Sequence, residues 1–325
     1  MQLPDYKLCK LFGLKSKRTL SEMLGIEDSF FNKKKIRLCT RIFLDKKNPK
    51  QPRIIETSYI NPIKKAQRRI LYYLQEINVP KYLYSGIKGT NFIENGKAHV
   101  GKDYVFKIDI SKFFPNTSRN KVYCFFSKKL HMSPDVADIL TDFTTVSVPD
   151  FANRENYDEI REFMKEKSIK PKAHLMTGSS ASVLLSFLVN EEMFERINHL
   201  CKENNIRMTV YVDDMVFSSS QPLSLVLRKK ICDIVRSFGY RLSSKKIGYY
   251  QKGTTKKITG TVLDKNGCIK APNALKHKIH NDLKAFKDNP TETRRAELLG
   301  RVLVANSIDN SFSSLKKALK KPIKE

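Results

Sequence analysis

Alternating apolar and polar positions, rich in β-branched and aromatic side chains, predict strands at several places along the chain. These strands fall at residues 37–45, 53–60, 104–110, 207–220 and 256–264. The first two flank a cation-rich turn and are predicted to pair with each other. Residues 207–220 are long enough for two strands, so this stretch is predicted to form a β-hairpin with Asp213 and Asp214 at or near its turn.

Apolar residues at helical spacing predict helices between and after these strands. Predicted helices occupy residues 61–77, 115–130, 178–203, 222–238 and the very basic region from 271 onward, with a short charged helix inside 144–176. Asn61 suits the capping position of the first of them and Pro62 its first helical position. The long helix at 178–203 is predicted to start at Gly178, and the helix at 222–238 is predicted to end at Gly239.

Three aspartates interrupt the apolar pattern where two predicted strands end. Asp109 closes the strand at 104–110, and Asp213 and Asp214 lie between the two arms of the hairpin. If the strand and the hairpin are neighbours in one antiparallel sheet, the three carboxylates converge and repel each other unless cations hold them. Two Mg²⁺ ions roughly 3.5–4 Å apart are the arrangement that supports phosphoryl transfer, with Mn²⁺ as an alternative ion. A solvated turn with capping aspartates explains any one of these acids but not the set.

The charge of the chain indicates a polyanionic partner. Its 61 Lys and Arg against 33 Asp and Glu give a net charge of +28 and a pI near 9.8, which favours nucleic acid over other partners. An anionic membrane surface also attracts such charge, but no apolar run approaches the ~20 residues of a spanning helix. The first residues show no signal-peptide pattern and the six cysteines form no CxxC pair, so a cytoplasmic, reduced protein is expected.

Five stretches of the sequence resemble motifs of reverse transcriptases, and within that family of bacterial retron reverse transcriptases. The palm tetrad of tyrosine, any residue and two aspartates stands at 211–214, and the upstream palm motif is "KIDISKFFPN" at 107–116. "NGKAH" at 95–99 is similar to the retron element Asn-Ala-x-x-His with Gly96 in place of alanine, and "ITG" at 258–260 is similar to Val-Thr-Gly. The family motif Pro-Gln-Gly-x-x-x-Ser stands here as "LMTGSSAS", with Thr177 in place of the glutamine that helps to place the template or incoming base.

The resemblance covers about the whole chain and implies an α+β right-hand polymerase. Its parts would be fingers, a palm made of an antiparallel sheet and helices, and a helical thumb. The implied division is an N-terminal segment and fingers at 1–100, a palm at 101–265 with a fingers excursion around 117–172, and a basic thumb at 266–325. Basic helices at 63–69 and 316–324 would bind phosphates without reading sequence.

The resemblance also implies catalytic and nucleotide-binding residues. Asp109, Asp213 and Asp214 would be both the catalytic residues and the metal ligands. The predicted dNTP-binding residues are Arg53, with Lys50 nearby, Phe114, Gly178 and Lys245, which is followed by Lys246. The Phe114 ring would act as a steric gate against a ribose 2′-hydroxyl, and the alternative is an ordinary core phenylalanine.

Nucleic-acid contacts are implied for Asn95, His99, Tyr211, Thr259 and Gly260. Asn95 and His99 would contact the structured RNA or its DNA product, and Tyr211 the primer end. Thr259 and Gly260 resemble a primer grip, although a tight turn between strands explains them equally well.

The implied function is retron-type reverse transcription. The enzyme would copy part of a cognate structured noncoding RNA into single-stranded DNA (msDNA) from dNTPs, priming from a 2′-hydroxyl of that RNA. A separate toxic effector protein and a role in anti-phage defence are further implications. The alternatives are another bacterial reverse transcriptase, of the abortive-infection or group II intron type, and a catalytically silent basic RNA-binding protein.

Overall fold

Helices and antiparallel strands alternate in the computed structural model, which describes residues 5–46 and 52–320. The strands are β1 (Thr40–Asp45), β2 (Arg53–Ser58), β3 (Tyr104–Asp109), β4 (Thr145–Ser147), β5 (Ala173–Leu175), β6 (Arg207–Tyr211), β7 (Asp214–Ser219), β8 (Gly248–Tyr250), β9 (Lys256–Ile258), β10 (Thr261–Leu263) and β11 (Ile269–Lys270). The helices are α1 (Lys17–Leu24), α2 (Lys33–Leu38), α3 (Asn61–Leu74), α4 (Phe92–Lys97), α5 (Phe113–Asn116), α6 (Arg119–Cys124), α7 (Pro134–Thr144), α8 (Tyr157–Glu166), α9 (Ser182–Leu188), α10 (Glu191–Glu203), α11 (Leu225–Ser237), α12 (Asn273–Asp288), α13 (Glu292–Ile308) and α14 (Ser313–Leu319). This mixture confirms the predicted α+β class. No helix in the described ranges is long and apolar enough to cross a bilayer.

The chain divides into two compact units, each built from three separate segments. The first unit comprises Met1–Lys88, Ile110–Asn198 and Asp233–Leu242. The second comprises Gly89–Asp109, His199–Cys232 and Ser243–Glu325. The division into fingers, palm and thumb at 1–100, 101–265 and 266–325 stays a prediction.

The first unit contains two antiparallel pairs, β1 with β2 and β4 with β5, together with helices that cover them. Ile42 and Ile54 pack with Val146 and Phe163 in one of its apolar clusters. In α3, apolar residues three or four positions apart are buried and most of the exposed positions are Lys or Arg, which is why the periodic stretch folds as a helix. Asn61 is the first helical residue and not the cap, because Ile60 occupies the capping position without a side-chain hydrogen bond.

The long helix predicted from Gly178 is wrong, since the structure has two helices, α9 and α10, in its place. Gly178 lies in a turn before α9. At the junction between the helices the Asn190 side-chain nitrogen donates to the Ser186 carbonyl at 2.9 Å, and the Asn190 backbone N–H bonds to Phe187 instead. An asparagine that takes the carbonyl four residues back competes with the helical ladder, and the first helix therefore ends there.

The second unit contains a four-stranded antiparallel sheet in the order β6-β7-β3-β8 and a three-stranded sheet in the order β11-β10-β9. Every residue of β7 is buried, as the central position of this strand requires. Val105 and Val216 of the larger sheet pack with Ile258 and Leu263 of the smaller one. Helices α12, α13 and α14 form a further apolar cluster with residues of α4 and β11. The larger sheet carries the aspartates.

Candidate active site

Strand pairing brings the predicted acids together at one end of the four-stranded sheet. Asp109, the last residue of β3, is the register partner of Asp214, the first residue of β7. The hairpin pairs Tyr211 with Asp214, so its two-residue turn consists of Val212 and Asp213. The predicted convergence of the strand and the hairpin is therefore confirmed.

The hairpin turn holds a strained residue beside the acids. Val212 has φ +59°, a left-handed conformation that is unfavourable for a β-branched side chain. Such backbone strain persists only where the surrounding structure enforces it, and it is frequent at functional sites. The strain places Asp213 at the tip, between the two strands that carry its neighbours.

Two lysines neutralise the acids in this conformation. The Lys246 ammonium donates to Asp109 Oδ2 at 2.7 Å, and the Lys107 ammonium donates to Asp214 Oδ2 at 3.2 Å. Lys245, predicted to bind the dNTP, is exposed, and the neighbouring Lys246 is the residue that bonds to Asp109. Lys107 was missed, although its position two residues before Asp109 on one strand puts both side chains on the same face.

The electrostatics of the site follow from burial and crowding. Burial raises the pKa of Asp109, although its ion pair with Lys246 works in the opposite direction. Burial, followed by the negative charge of Asp109, raises the pKa of Asp213 to about 6. Burial lowers the pKa of Lys246, but its bond to Asp109 outweighs this and the net pKa is raised. Asp109 and Asp213 therefore ionise less readily than free aspartates.

The donor set fits a hard divalent cation. The Oδ1 atom of Asp214 is buried and has no hydrogen-bond partner, while Asp109 and Asp213 supply further carboxylate oxygens beside it. Oxygen donors of this kind are what Mg²⁺ prefers. No three His, Cys, Asp or Glu side chains within 5–46 and 52–320 form a ready-made metal site. In the acid cluster, Lys107 and Lys246 instead bond to one oxygen each of Asp214 and Asp109.

The retron-like elements lie beneath the acids in the same unit. Thr259 Oγ1 donates to Asp214 Oδ2 at 2.8 Å, and Asn95 Nδ2 donates to Thr259 Oγ1 at 2.8 Å. Asn95 and His99 are fully buried, so neither side chain reaches a nucleic acid in this conformation. Thr259, with φ +36°, and Gly260, with φ +80°, form the tight turn between β9 and β10. The local structure of Thr259 and Gly260 is thus the tight strand turn that was the alternative to a primer grip.

The motif with Thr177 belongs to the first unit, where it is tied to β2. Thr177 N–H donates to Glu56 Oε2 at 2.9 Å, and Glu56 N–H donates to Thr177 Oγ1 at 3.0 Å. Gly178 N–H donates to the Glu56 carbonyl, and a Cβ at Gly178 would lie 2.5 Å from that oxygen. The glycine is therefore required by the close approach of β2. His174 Nε2 bonds to Glu56 Oε1 at 2.8 Å, with both side chains fully buried.

Two other predicted nucleotide contacts, Arg53 and Phe114, also lie in the first unit, whereas Lys245 lies in the second. Arg53 begins β2 and is exposed, and Phe114 lies half-buried in α5. Lys50 and residues 321–324 of the predicted basic helix fall outside the described residues. The roles of Arg53, Phe114, Gly178, Lys245 and Tyr211 stay predictions.

No protein-family model matches the chain. The retron Ec83 reverse transcriptase of Escherichia coli is 26% identical over 232 residues, which are 70% of this chain and 69% of that protein. The retron Se72 reverse transcriptase of Salmonella heidelberg is 26% identical over 257 residues, 75% of this chain and 60% of that protein. A structure of the foamy viral protease-reverse transcriptase in complex with double-stranded DNA covers 86% of this chain and 38% of its own, with a TM-score of 0.44 and 17% identity. Both retron proteins are named as reverse transcriptases, the enzyme class that the sequence predicts.

Proposed function

Since the sequence matches confirm the resemblance to retron reverse transcriptases, we propose that this protein is an RNA-directed DNA polymerase. The observation that carries the proposal is the register pairing of Asp109 with Asp214, next to Asp213 in the hairpin turn. Three carboxylates gathered at one sheet end are costly to maintain for stability alone. The similarity to retron enzymes implies that the same residues are catalytic metal ligands.

The acids would hold the divalent cations of nucleotidyl transfer. Two Mg²⁺ ions, or Mn²⁺ in their place, would neutralise the charge that develops on the attacking and leaving oxygens. In this chain Asp109, Asp213 and Asp214 supply the oxygen ligands, and Asp214 Oδ1 is the atom without a partner. Lys246, half-exposed beside Asp109, adds positive charge at the edge of the cluster.

The dNTP would be held by residues assigned from the resemblance. Arg53 would bind the triphosphate, and the ring of Phe114 would exclude a ribose 2′-hydroxyl. Gly178 and Lys245 complete the predicted set. The net charge of +28 supports a nucleic-acid template and product.

The substrate would be a cognate structured noncoding RNA, copied in part into msDNA. Priming from an RNA 2′-hydroxyl would leave a branched RNA and DNA hybrid. We further propose a role in anti-phage defence with a separate toxic effector protein, on the similarity alone.

Incorporation of labelled dTTP on poly(rA)/oligo(dT), with and without Mg²⁺, tests the polymerase. The variant Asp213→Asn/Asp214→Asn is expected to lose incorporation and keep its affinity for the duplex. Asp233→Asn is the matched control, because it removes an exposed carboxylate from α11. If the wild-type protein binds the duplex but incorporates nothing, on this duplex or on its native RNA, the catalytically silent RNA-binding alternative replaces the proposal.

The branch is tested on DNA recovered from cells that express the protein with its neighbouring RNA gene. We expect the 5′ end of the DNA to remain joined to RNA until it is treated with a 2′,5′-debranching enzyme. Linear DNA with a free 5′ end from the outset would point to another type of bacterial reverse transcriptase.

A further inference from the structure

Two successive hydrogen bonds, both partly buried, connect α4 to one of the acids. This chain of bonds starts at the Asn95 side-chain amide, passes through the Thr259 hydroxyl and ends at Asp214 Oδ2, and each bond is 2.8 Å long. Asn95 is fully buried and Asp214 is 8% exposed. The chain crosses from a helix to a strand turn to the catalytic hairpin, all within the second unit.

The donor in each of these two hydrogen bonds is determined by the single hydrogen of the Thr259 hydroxyl. The Thr259 hydroxyl has one hydrogen, and an ionised carboxylate accepts only, so that hydrogen is given to Asp214. The hydroxyl oxygen must then accept from its other neighbour, which requires Asn95 to present its NH₂ group. Asn95 thus orients the hydroxyl, and the hydroxyl orients the carboxylate.

The turn that carries Thr259 is itself held against α4. Thr259 and Gly260 both have positive φ, and a Cβ at Gly260 would lie 3.1 Å from the Phe92 ring. A side chain at position 260 would be strained at this positive φ and would crowd the Phe92 ring, so glycine suits the position. The turn that carries Thr259 therefore packs against α4, while the Thr259 hydroxyl bonds to Asp214.

The same segment clamps the two strands of the hairpin. His99 Nε2 bonds to Thr209 Oγ1 of β6 at 2.8 Å, and His99 Nδ1 bonds to Ser218 Oγ of β7 at 2.7 Å. Burial, with a contribution from the charge of Arg207, lowers the pKa of His99 to about 3, so the ring is neutral and donates to one hydroxyl while it accepts from the other. Residues 95–99 thus hold both the acid and the strands that carry it.

We propose that Asn95 and Thr259 are positioning residues that fix the Asp214 carboxylate, with Oδ2 held and Oδ1 presented to a cation. This inference rests on the proposed polymerase function. It gives the retron-like elements "NGKAH" and "ITG" a common task inside the protein, in place of direct RNA contact by these two side chains. Asp214 Oδ2 is occupied by Thr259 and Lys107, and Oδ1 is the buried oxygen without a partner.

The test compares Thr259, in the turn, with Thr261, the first residue of β10. Thr259→Val removes the hydroxyl at constant shape, and Thr259→Ser keeps it. Thr261→Val is the matched control, because Thr261 is 1% exposed and its hydroxyl donates to the Ile258 carbonyl at 2.8 Å, away from the acids. Each variant is measured for Mn²⁺ binding to the free protein by electron paramagnetic resonance, for kcat and dTTP KM on poly(rA)/oligo(dT), for duplex affinity and for thermal unfolding.

We expect Thr259→Val to weaken Mn²⁺ binding and lower kcat by about 10- to 100-fold, the usual effect of losing an outer partner of a metal ligand. Duplex affinity and dTTP KM should stay within about twofold of wild type, and Thr259→Ser should restore both losses. Thr261→Val should match wild type in Mn²⁺ binding and kcat even if its unfolding temperature falls. Asn95→Leu, which is similar in size and has no hydrogen-bond donor, should reproduce the Thr259→Val loss.

Two results would overturn the inference. One is a Thr259→Val protein that binds Mn²⁺ and turns over like Thr261→Val. The other is a Thr259→Val protein that loses duplex affinity with kcat intact, which would assign Thr259 to nucleic-acid contact. In both cases the wild-type enzyme is active, so the polymerase proposal survives; an inactive wild type would instead refute that proposal.

Discussion

Gly96→Ala restores the alanine that the retron element usually has, yet we expect it to destabilise this protein. A Cβ at Gly96 would lie 2.3 Å from Thr261 Oγ1 and 3.3 Å from Ile269 Cδ1. The hydroxyl cannot swing away freely, because Thr261 is 1% exposed and bonds to the Ile258 carbonyl. The contact therefore forces either the side chain or the backbone of α4 to move.

The size of the effect is a balance of two terms. Replacing glycine by alanine inside a helix gains at most about 1 kcal/mol, and less so near the end of a short one such as α4. Overpacking a filled site costs about 1–3 kcal/mol. The steric term wins because the overlap is with a fixed atom, so we expect the free energy of unfolding to fall by about 1–2 kcal/mol.

A double-mutant cycle isolates the contact. Thr261→Ala alone should cost about 1 kcal/mol through its lost hydrogen bond. In that background Gly96→Ala should cost little, giving a coupling energy of about 1–2 kcal/mol. Urea unfolding is followed by circular dichroism, since the chain has no tryptophan. A Gly96→Ala protein that is more stable than wild type, or equally destabilised in both backgrounds, would refute the steric argument.

Three further outcomes are expected. Because the pKa of Asp213 is raised to about 6 in the folded protein, folding takes up a proton between about pH 4 and 6. In the presence of a chelator, the free energy of unfolding of the wild type should therefore fall between pH 4.5 and 7 by ~2 kcal/mol more than that of Asp213→Asn. Equal pH slopes of the two proteins in urea titrations would contradict this. His174→Phe leaves Glu56 buried without its partner and should cost ~3–5 kcal/mol in urea unfolding. Since the pair raises the pKa of His174 despite burial, the advantage of wild type over this variant should be full below pH 6.5 and shrink as the pH rises through the folded pKa, so an advantage that grows with pH would rule out the ion pair. Phe114→Val should admit ribonucleotides, measured as the ratio of rUTP to dTTP incorporation on poly(rA)/oligo(dT), and an unchanged ratio would remove the steric gate.

Patterns of apolar and polar residues predicted the strands and helices that depend on neighbouring residues in the sequence. The alternation in residues 104–110 and 207–220 predicted the strands of the larger sheet, and the hairpin fixed the neighbourhood of Asp213 and Asp214. The pairing of β3 with β7 was assumed in the sequence analysis, and the structure shows it. Helix continuity across Asn190 failed because a single side-chain hydrogen bond decided it.

Long-range partners were beyond reach of the sequence. Asn95 and Thr259 are 164 positions apart, and His99 and Ser218 are 119 apart. Nothing in the composition of either segment indicates which buried polar group meets which, because a hydrogen bond in the core depends on packing of the whole unit. For this reason two residues predicted to face RNA are found inside.

The ammonium groups of Lys107 and Lys246 give the acid cluster counter-ions of its own. Proteins whose ligands repel each other without metal often stay unfolded until the metal arrives. We expect this polypeptide to fold in magnesium-depleted solution and to bind its cations afterwards. Chelators should then silence the protein without denaturing it.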